Sequence, residues 1–352
     1  MTGNQRKACL LALFCCIVSA CSGSEREKNA GVVRPVVITE KVAHDSDDPA
    51  IWIDFRDHSQ SLILGTDKDE DGAICVFDLR GRMLKHKCIH GIRRPNNIDV
   101  EYGLLLDGKP VDIAVFTERL TGKLRVFTVP DMTAVDTGGI PVFTGEKDNA
   151  PMGVALYKRQ KDGAIYAVVS RKHGPVNGGY LWQYQLEDNG RGGVRATLVR
   201  KFGKWSGKKE IEAVAVDDST GYVYYSDEGY GVRVYHADPQ SNDAERELDL
   251  LAERGFDADH EGIAVFSGND GKRIVAVSDQ GAGKLHFFSG AGSVGDTRVL
   301  HRFMHDVTIS AGNTDGIDAT SIIRTADFPD GLLVAMSDDR TFHYYSIRDL
   351  GL

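Results

Sequence analysis

Six places in this 352-residue chain repeat one phrase, a leading residue followed by a short run of small and apolar ones. They read Asp48-Pro-Ala-Ile-Trp52, Asn97-Ile-Asp-Val100, Met152-Gly-Val-Ala-Leu156, Glu212-Ala-Val-Ala-Val216, Glu261-Gly-Ile-Ala-Val265 and Asp315-Gly-Ile-Asp-Ala319. Five of the six leading residues carry a side-chain oxygen, and Met152 is the exception. Further oxygen donors stand close by: Asp47, Asp99, Glu228, Asp259 and the amide Gln280. Taken alone, any of them reads as a turn acid facing solvent. Recurrence at one place in the phrase favours a shared site. Carboxylates gathered on one face raise one another's pKa unless cations sit among them. Oxygen donors without His or Cys companions suit Ca²⁺ better than Zn²⁺ or Cu²⁺.

Three basic residues form the complementary set. Lys68 follows the strand-like run 62–66, Arg119 follows 111–117, and Lys172 follows 165–171. Each comes just after the second apolar run of its unit, so all three can reach the same place. Each alone reads equally well as surface charge. Cations beside bound metal ions make an anion site, and phosphate is the anion that suits it. The formal net charge is −9, and loss of residues 1–20 would remove Arg6 and Lys7 and no acid, leaving 40 basic against 51 acidic residues. Such a surface argues against nucleic acid and repels an anion unless bound cations reverse the field locally. No Ser/His/Asp or Cys/His nucleophile arrangement stands out, and His44, His260 and His305 are scattered.

The elements that must position these groups are strands. Ser61-Leu-Ile-Leu-Gly65, Ala73-Ile-Cys-Val-Phe77, Lys123-Leu-Arg-Val-Phe-Thr128, Ile165-Tyr-Ala-Val-Val-Ser170, Tyr222-Val-Tyr-Tyr-Ser226, Arg273-Ile-Val-Ala-Val-Ser278 and Leu332-Leu-Val-Ala-Met336 are short and rich in β-branched and aromatic residues. Gly- and Asp-containing turns separate them. The phrases start about 50–60 residues apart, which predicts an all-β, six-bladed β-propeller in which each phrase opens the innermost strand of a blade. Seven blades would need a period nearer ~45 residues. Equivalent positions then come around one mouth of the central channel, and the ring reads Asp48, Asn97, Met152, Glu212, Glu261, Asp315.

Residues 1–20 have the layout of a secretory signal, with Arg6 and Lys7 ahead of an apolar stretch ending Val18-Ser19-Ala20-Cys21. The last four residues resemble a bacterial lipobox, in which Cys21 becomes the lipidated first residue; a plain signal peptide is the alternative. Ser22 suits the outer membrane. Residues 21–34 read as a flexible tether, and 35–352 as the propeller domain. The expected location is therefore outside the cytoplasm, lipid-anchored to the cell envelope, with the membrane touched only through Cys21. Cys75 and Cys88 then remain, either paired or as two buried thiols. The pattern Asp67-x-Asp69-x-Asp71-Gly72-x-Ile74-x-x-x-Asp78 follows an EF-hand loop, but its flanks look like strands and a β-turn with surface acids is the better reading.

Asp47-Asp48-Pro49-Ala50-Ile51-Trp52, Asn96-Asn97-Ile98-Asp99-Val100, Asp259-His260-Glu261-Gly262 and Asp315-Gly316-Ile317-Asp318 together resemble the signature blocks of the β-propeller (alkaline) phytases, over roughly residues 40–345. That resemblance implies hydrolysis of myo-inositol hexakisphosphate to lower inositol phosphates and orthophosphate with several Ca²⁺ ions, by direct attack of a metal-activated water. It implies Asp48, Asn97, Asp99, Glu212, Glu228, Asp259, Glu261, Gln280 and Asp315 as Ca²⁺ ligands or holders of that water. Lys68, Arg119 and Lys172 are the implied phosphate binders, with Lys68, Arg119 and Glu228 the catalytic set. One departure is Met152, where the family commonly has a Tyr donating to phosphate. A small-molecule substrate and a monomeric state are expected. Another Ca²⁺-dependent propeller hydrolase, such as a lactonase, and a non-catalytic surface-binding propeller are the alternatives.

Overall fold

The computed structural model describes residues 31–268, 270–290 and 301–352. The expected signal segment, Cys21 and most of the tether lie outside the described residues. Six four-stranded antiparallel sheets account for the named strands. Blade 1 is Ser46–Trp52, Leu62–Asp67, Gly72–Asp78 and Ile89–Ile92, and blade 2 is Pro95–Leu106, Lys109–Glu118, Lys123–Val129 and Ile140–Pro141. Blade 3 is Pro151–Lys158, Ile165–Arg171, Leu181–Asp188 and Val194–Phe202, and blade 4 is Val214–Asp217, Tyr222–Asp227, Gly231–His236 and Asp249–Leu251. Blade 5 is His260–Ser267, Arg273–Asp279, Lys284–Ser289 and Phe303–Thr308. Blade 6 takes Ile317–Thr320, Leu332–Ser337 and Thr341–Ser346 from the end of the chain and its fourth strand, Val37–Ile38, from the beginning.

The first strands of successive blades touch in order, and that of blade 6 touches that of blade 1, so the ring closes as a six-bladed propeller. Closure rests on the pairing of Val37 with Tyr344 and Ile38 with His343. Val33, within the segment expected as tether, already pairs in parallel with Ile309.

Each blade buries both faces. The second strands Leu62–Asp67 and Ile165–Arg171 are buried at every residue, which is why they read as continuous apolar runs instead of alternating ones. The core is correspondingly divided into six clusters, one in each seam between blades. Leu156, Val169 and Trp182 pack against Val115 and Val126 between blades 3 and 2, and Ile63 and Phe77 pack against Val334 and Phe342 between blades 1 and 6. Each such buried side chain contributes about 1.5–3 kcal/mol.

Candidate active site

The mouth is shaped by a fault repeated at the start of the inner strands. Pairing with the second strand slips between Ser46 and Pro49, Pro95 and Ile98, Pro151 and Val154, and His260 and Ile263. In blades 4 and 6 the ladder begins only at Val214 and Ile317, after Glu212 and Asp315. Such irregularities re-aim a side chain, and they fall on the ring residues of the repeated phrase. In blades 1, 2, 3 and 5 a hydroxyl at the end of the second strand ties the slipped segment down. Thr66 Oγ1 accepts from the Asp48 N–H at 2.9 Å, Ser170 Oγ from Gly153 at 2.8 Å and Ser278 Oγ from Gly262 at 2.8 Å. Four of the second-strand hydroxyls also donate onward to the segment entering the next blade: Thr117 to the Met152 carbonyl at 2.6 Å, Ser170 to Ile211 at 2.7 Å, Ser226 to His260 at 2.6 Å and Ser278 to Thr314 at 3.0 Å. The blades approach so closely here that a Cβ on Gly153 would collide with the Glu212 carbonyl, and one on Gly316 with Asp48.

Asp48, Asn97, Glu212, Glu261 and Asp315 border one small hollow on the axis, with Asp47 beside them. Above it opens a cleft of about 590 Å³ onto which Lys68, Lys172, Glu212, Glu228, Asp259, Glu261, Gln280 and Asp315 all face. Arg119 joins through Asn96, whose Oδ1 accepts from Nη1 at 3.3 Å and whose Nδ2 donates to Glu212 and to Asn97 Oδ1. Asp99 lies deeper. It lines the channel below the hollow, where its oxygens accept the N–H groups of Leu156 and Val100, both at 2.7 Å. Asp48 is shared between levels, because Oδ2 accepts from the Ile98 N–H of blade 2 at 2.9 Å. Met152 is fully buried, its backbone carbonyl taken by Thr117, and borders neither hollow nor cleft.

These acids outnumber the positive charges beside them. Burial, reinforced by neighbouring acids, drives Asp47, Asp48 and Glu261 well above the ordinary carboxylate range and raises Glu212. Burial first, and Glu212 next, push Glu228 up to about 9. Lys68 is the internal counter-ion: it bonds Asp47 and lies 3.7 Å from Asp315 and 4.0 Å from Glu212. The carboxylates raise its pKa despite burial, so it stays charged. Lys172 pairs with Glu210, Lys209 with Asp259, and Gln280 donates to Asp315.

Whether a hard cation fits can be judged from the donors themselves. Carboxylate oxygens of Glu210, Glu212 and Glu228 lie within 4.8 Å of one another. Asp47 Oδ2 and Glu228 Oε1 are buried with no hydrogen-bond partner, a cost of about 1–3 kcal/mol each, or more for a charged group, unless something else binds them. All-oxygen donors with unmet acceptor capacity suit Ca²⁺.

Glu210 and Asn96 escaped the repeat because neither leads a phrase. The only available signal is position: Glu210 stands two residues before Glu212, the spacing that shares a face wherever a segment is extended. The last residue of most second strands belongs to a different set of acids, which hold the loops before the inner strands. Asp67 accepts from His44 and Asp45 N–H at 2.9 and 2.8 Å, Glu118 from Arg93 at 3.0 Å, Asp227 from Ser206 at 2.8 Å, and Asp279 from Asp257 and Ala258 at 2.8 and 2.9 Å. Asp67 therefore does not belong to an EF-hand loop, and Asp78 sits at the far end of the same hairpin, opposite Leu62 and bonded to Arg82. Blade 3 inverts the charge: Arg171 takes this position and donates to the Asp148 carbonyl at 3.4 Å. Lys172 and His173 of blade 3 and Lys208 and Lys209 on the loop entering blade 4 face the cleft across from Glu228, Asp259, Glu261 and Asp315. His260 and His305 are structural, their Nε2 atoms meeting the Ala252 and Leu350 carbonyls at 2.6 and 3.0 Å.

A family model described as Phytase matches residues 4–347. The chain belongs to the phytase family. It is 27% identical over 307 residues to a 3-phytase of Bacillus subtilis (strain 168), a match spanning 84% of this chain and 75% of that one. Among solved structures it is similar to the Dos1 propeller, with a TM-score of 0.43 and 14% identity over 86% of this chain and 68% of that one. It is also similar to the WD40 β-propeller domain of Doa1, with a TM-score of 0.48 and 9% identity over 89% and 96%.

Proposed function

We propose that this phytase-family chain removes phosphate from myo-inositol hexakisphosphate in a Ca²⁺-dependent reaction at the propeller mouth, beginning at the 3-phosphate named for its Bacillus relative. One observation carries the reading: carboxylates that outnumber their counter-charges share a single cleft with Lys68 and Lys172, and Arg119 is joined to them through Asn96. Glu210, Glu212, Glu228, Asp259, Glu261 and Asp315, with Asn97, Asp48 and Gln280 beside them, would hold the cations. Asp99, both oxygens engaged by backbone in the channel, braces blade 2 against blade 3.

Bound there, Ca²⁺ would supply positive charge to phosphate oxygens and acidify water. The rest falls to the protein. Arg119, planar and five-donor, forks onto two oxygens of the phosphate. Lys68 adds a point charge from below, and Lys172 holds a neighbouring phosphate from blade 3. As the P–O bond breaks, charge builds on the phosphoryl oxygens, where these preorganised cations stabilise it. Glu228, whose buried Oε1 has no hydrogen-bond partner, would accept a proton from water in the mouth.

The test is orthophosphate release from inositol hexakisphosphate by the purified chain, run beside hydrolysis of an aliphatic lactone. Release that ceases with a Ca²⁺ chelator and returns with Ca²⁺, with the lactone untouched, is expected. Chelator-insensitive release or lactone opening alone would overturn it. We also propose export and lipidation at Cys21, supported by the N-terminal sequence, with the mass of the mature N-terminal peptide as its test.

A further inference from the structure

Blade 1 holds two cysteines, Cys75 in its third strand and Cys88 just ahead of its fourth. The antiparallel ladder pairs Ile74 with Ile89 at its end, so Cys75 and Cys88 are the facing positions one step beyond it. Both are free thiols, Cys75 buried and Cys88 half-buried. The Cys88 sulfur is fixed on its other sides, accepting from the Val76 N–H at 3.4 Å and lying 3.6 Å from the Leu84 carbonyl. Directly opposed residues on antiparallel strands have Cα atoms about 4.5–5.5 Å apart. That lies within the ~4.4–6.8 Å a disulfide spans.

We propose that Cys75 and Cys88 are a disulfide site, closed by a small-molecule disulfide and tying the third strand of blade 1 to its fourth. Cys88 is the first nucleophile, since it is half-buried while Cys75 is buried. The neighbouring Cys75 thiol also lowers the Cys88 pKa to about 7. Cys88 gives its proton to solvent, and the thiolate attacks one sulfur of the oxidant, breaking its S–S bond and releasing one small thiolate. The Cys75 sulfur, losing its proton, then displaces the second small thiolate from Cys88. Two protein thiols are oxidised to one disulfide and the oxidant is reduced to two thiols. The bridge braces the strand paired with Leu62–Asp67, directly below the turn that carries Lys68.

The full chain is incubated with oxidised glutathione or with dithiothreitol, its free thiols are blocked, and tryptic peptides are weighed. Arg80, Arg82, Lys85 and Lys87 separate the two cysteines, so a bridge joins two different peptides. The expected result is a Cys75–Cys88 linked pair in the oxidised sample alone, and a Tm about 4 °C above the reduced form. Cys75→Ser should stop the reaction at a glutathione adduct on Cys88. Recovery of both residues as blocked thiols, of a stable adduct on unsubstituted Cys88, or of links to other cysteines would overturn the site. An unchanged Tm with the link formed would overturn the bracing.

Discussion

At the scale of single residues, the mouth separates two jobs usually confused in an acidic cluster. Glu228 and Glu261 are buried acceptors short of donors, whereas Asp67, Asp227 and Asp279 are equally buried but engaged by backbone N–H groups, Asp227 also by Ser206 and Arg233. Only the first kind gains from a cation. Glu228→Gln keeps the volume and removes the charge. It should lower kcat by about 100-fold, with the Tm of the Ca²⁺-free protein unchanged or raised, since a desolvated carboxylate is gone. Arg119→Ala should lower kcat/KM for inositol hexakisphosphate by about 100-fold through loss of the charged fork. Steady-state phosphate release on variants with matching circular dichroism checks both, and full activity in either removes that residue from the mechanism.

At the scale of elements, the slipped start of each inner strand does the positioning, and it requires the neighbouring backbone to come close. Gly316→Ala should therefore cost about 1–3 kcal/mol by forcing a Cβ against Asp48. A urea midpoint indistinguishable from the parent would show that the seam has slack. The repeat was legible before any coordinates because each phrase is local: a leading residue, a slip and an apolar strand occupy a handful of consecutive positions. The double role of Asp48 was not, since the backbone N–H it binds belongs to Ile98, fifty positions away in the next blade. Asp99 likewise reads as a ligand from its neighbours in sequence, yet the Leu156 N–H that occupies it comes from blade 3. The EF-hand pattern, set aside for its strand-like flanks, fails for the opposite reason. Its acids are near in sequence but divided by a strand, so Asp67 and Asp78 end at opposite ends of one hairpin.

At the scale of the whole molecule, the acids on the axis make stability depend on pH and on cations. Burial raises Asp318 to about 7, Asp99 to about 8 and Glu228 to about 9. Below about pH 4 these groups are protonated in both folded and unfolded chains. As pH rises, the unfolded chain ionises first, so the folded state loses stability progressively up to the folded-state values. In chelator, Tm should fall by about 5 °C or more between pH 5 and pH 8. With Ca²⁺ the fall should shrink or reverse, because the ion binds the ionised carboxylates of the folded chain. A Ca²⁺-free Tm that rises across the same interval would mean that the axis acids are better compensated than their burial implies.

The claim beneath all of this is that acids from separate blades meet at one opening and hold Ca²⁺ beside Lys68 and Arg119. Anomalous diffraction from crystals grown with Ca²⁺ tests it directly. Peaks should lie within about 2.3–2.6 Å of the carboxylate oxygens of Glu210, Glu212, Glu228, Glu261 or Asp315, and vanish in chelator. A mouth without such peaks at a Ca²⁺ concentration that supports full phosphate release would contradict it.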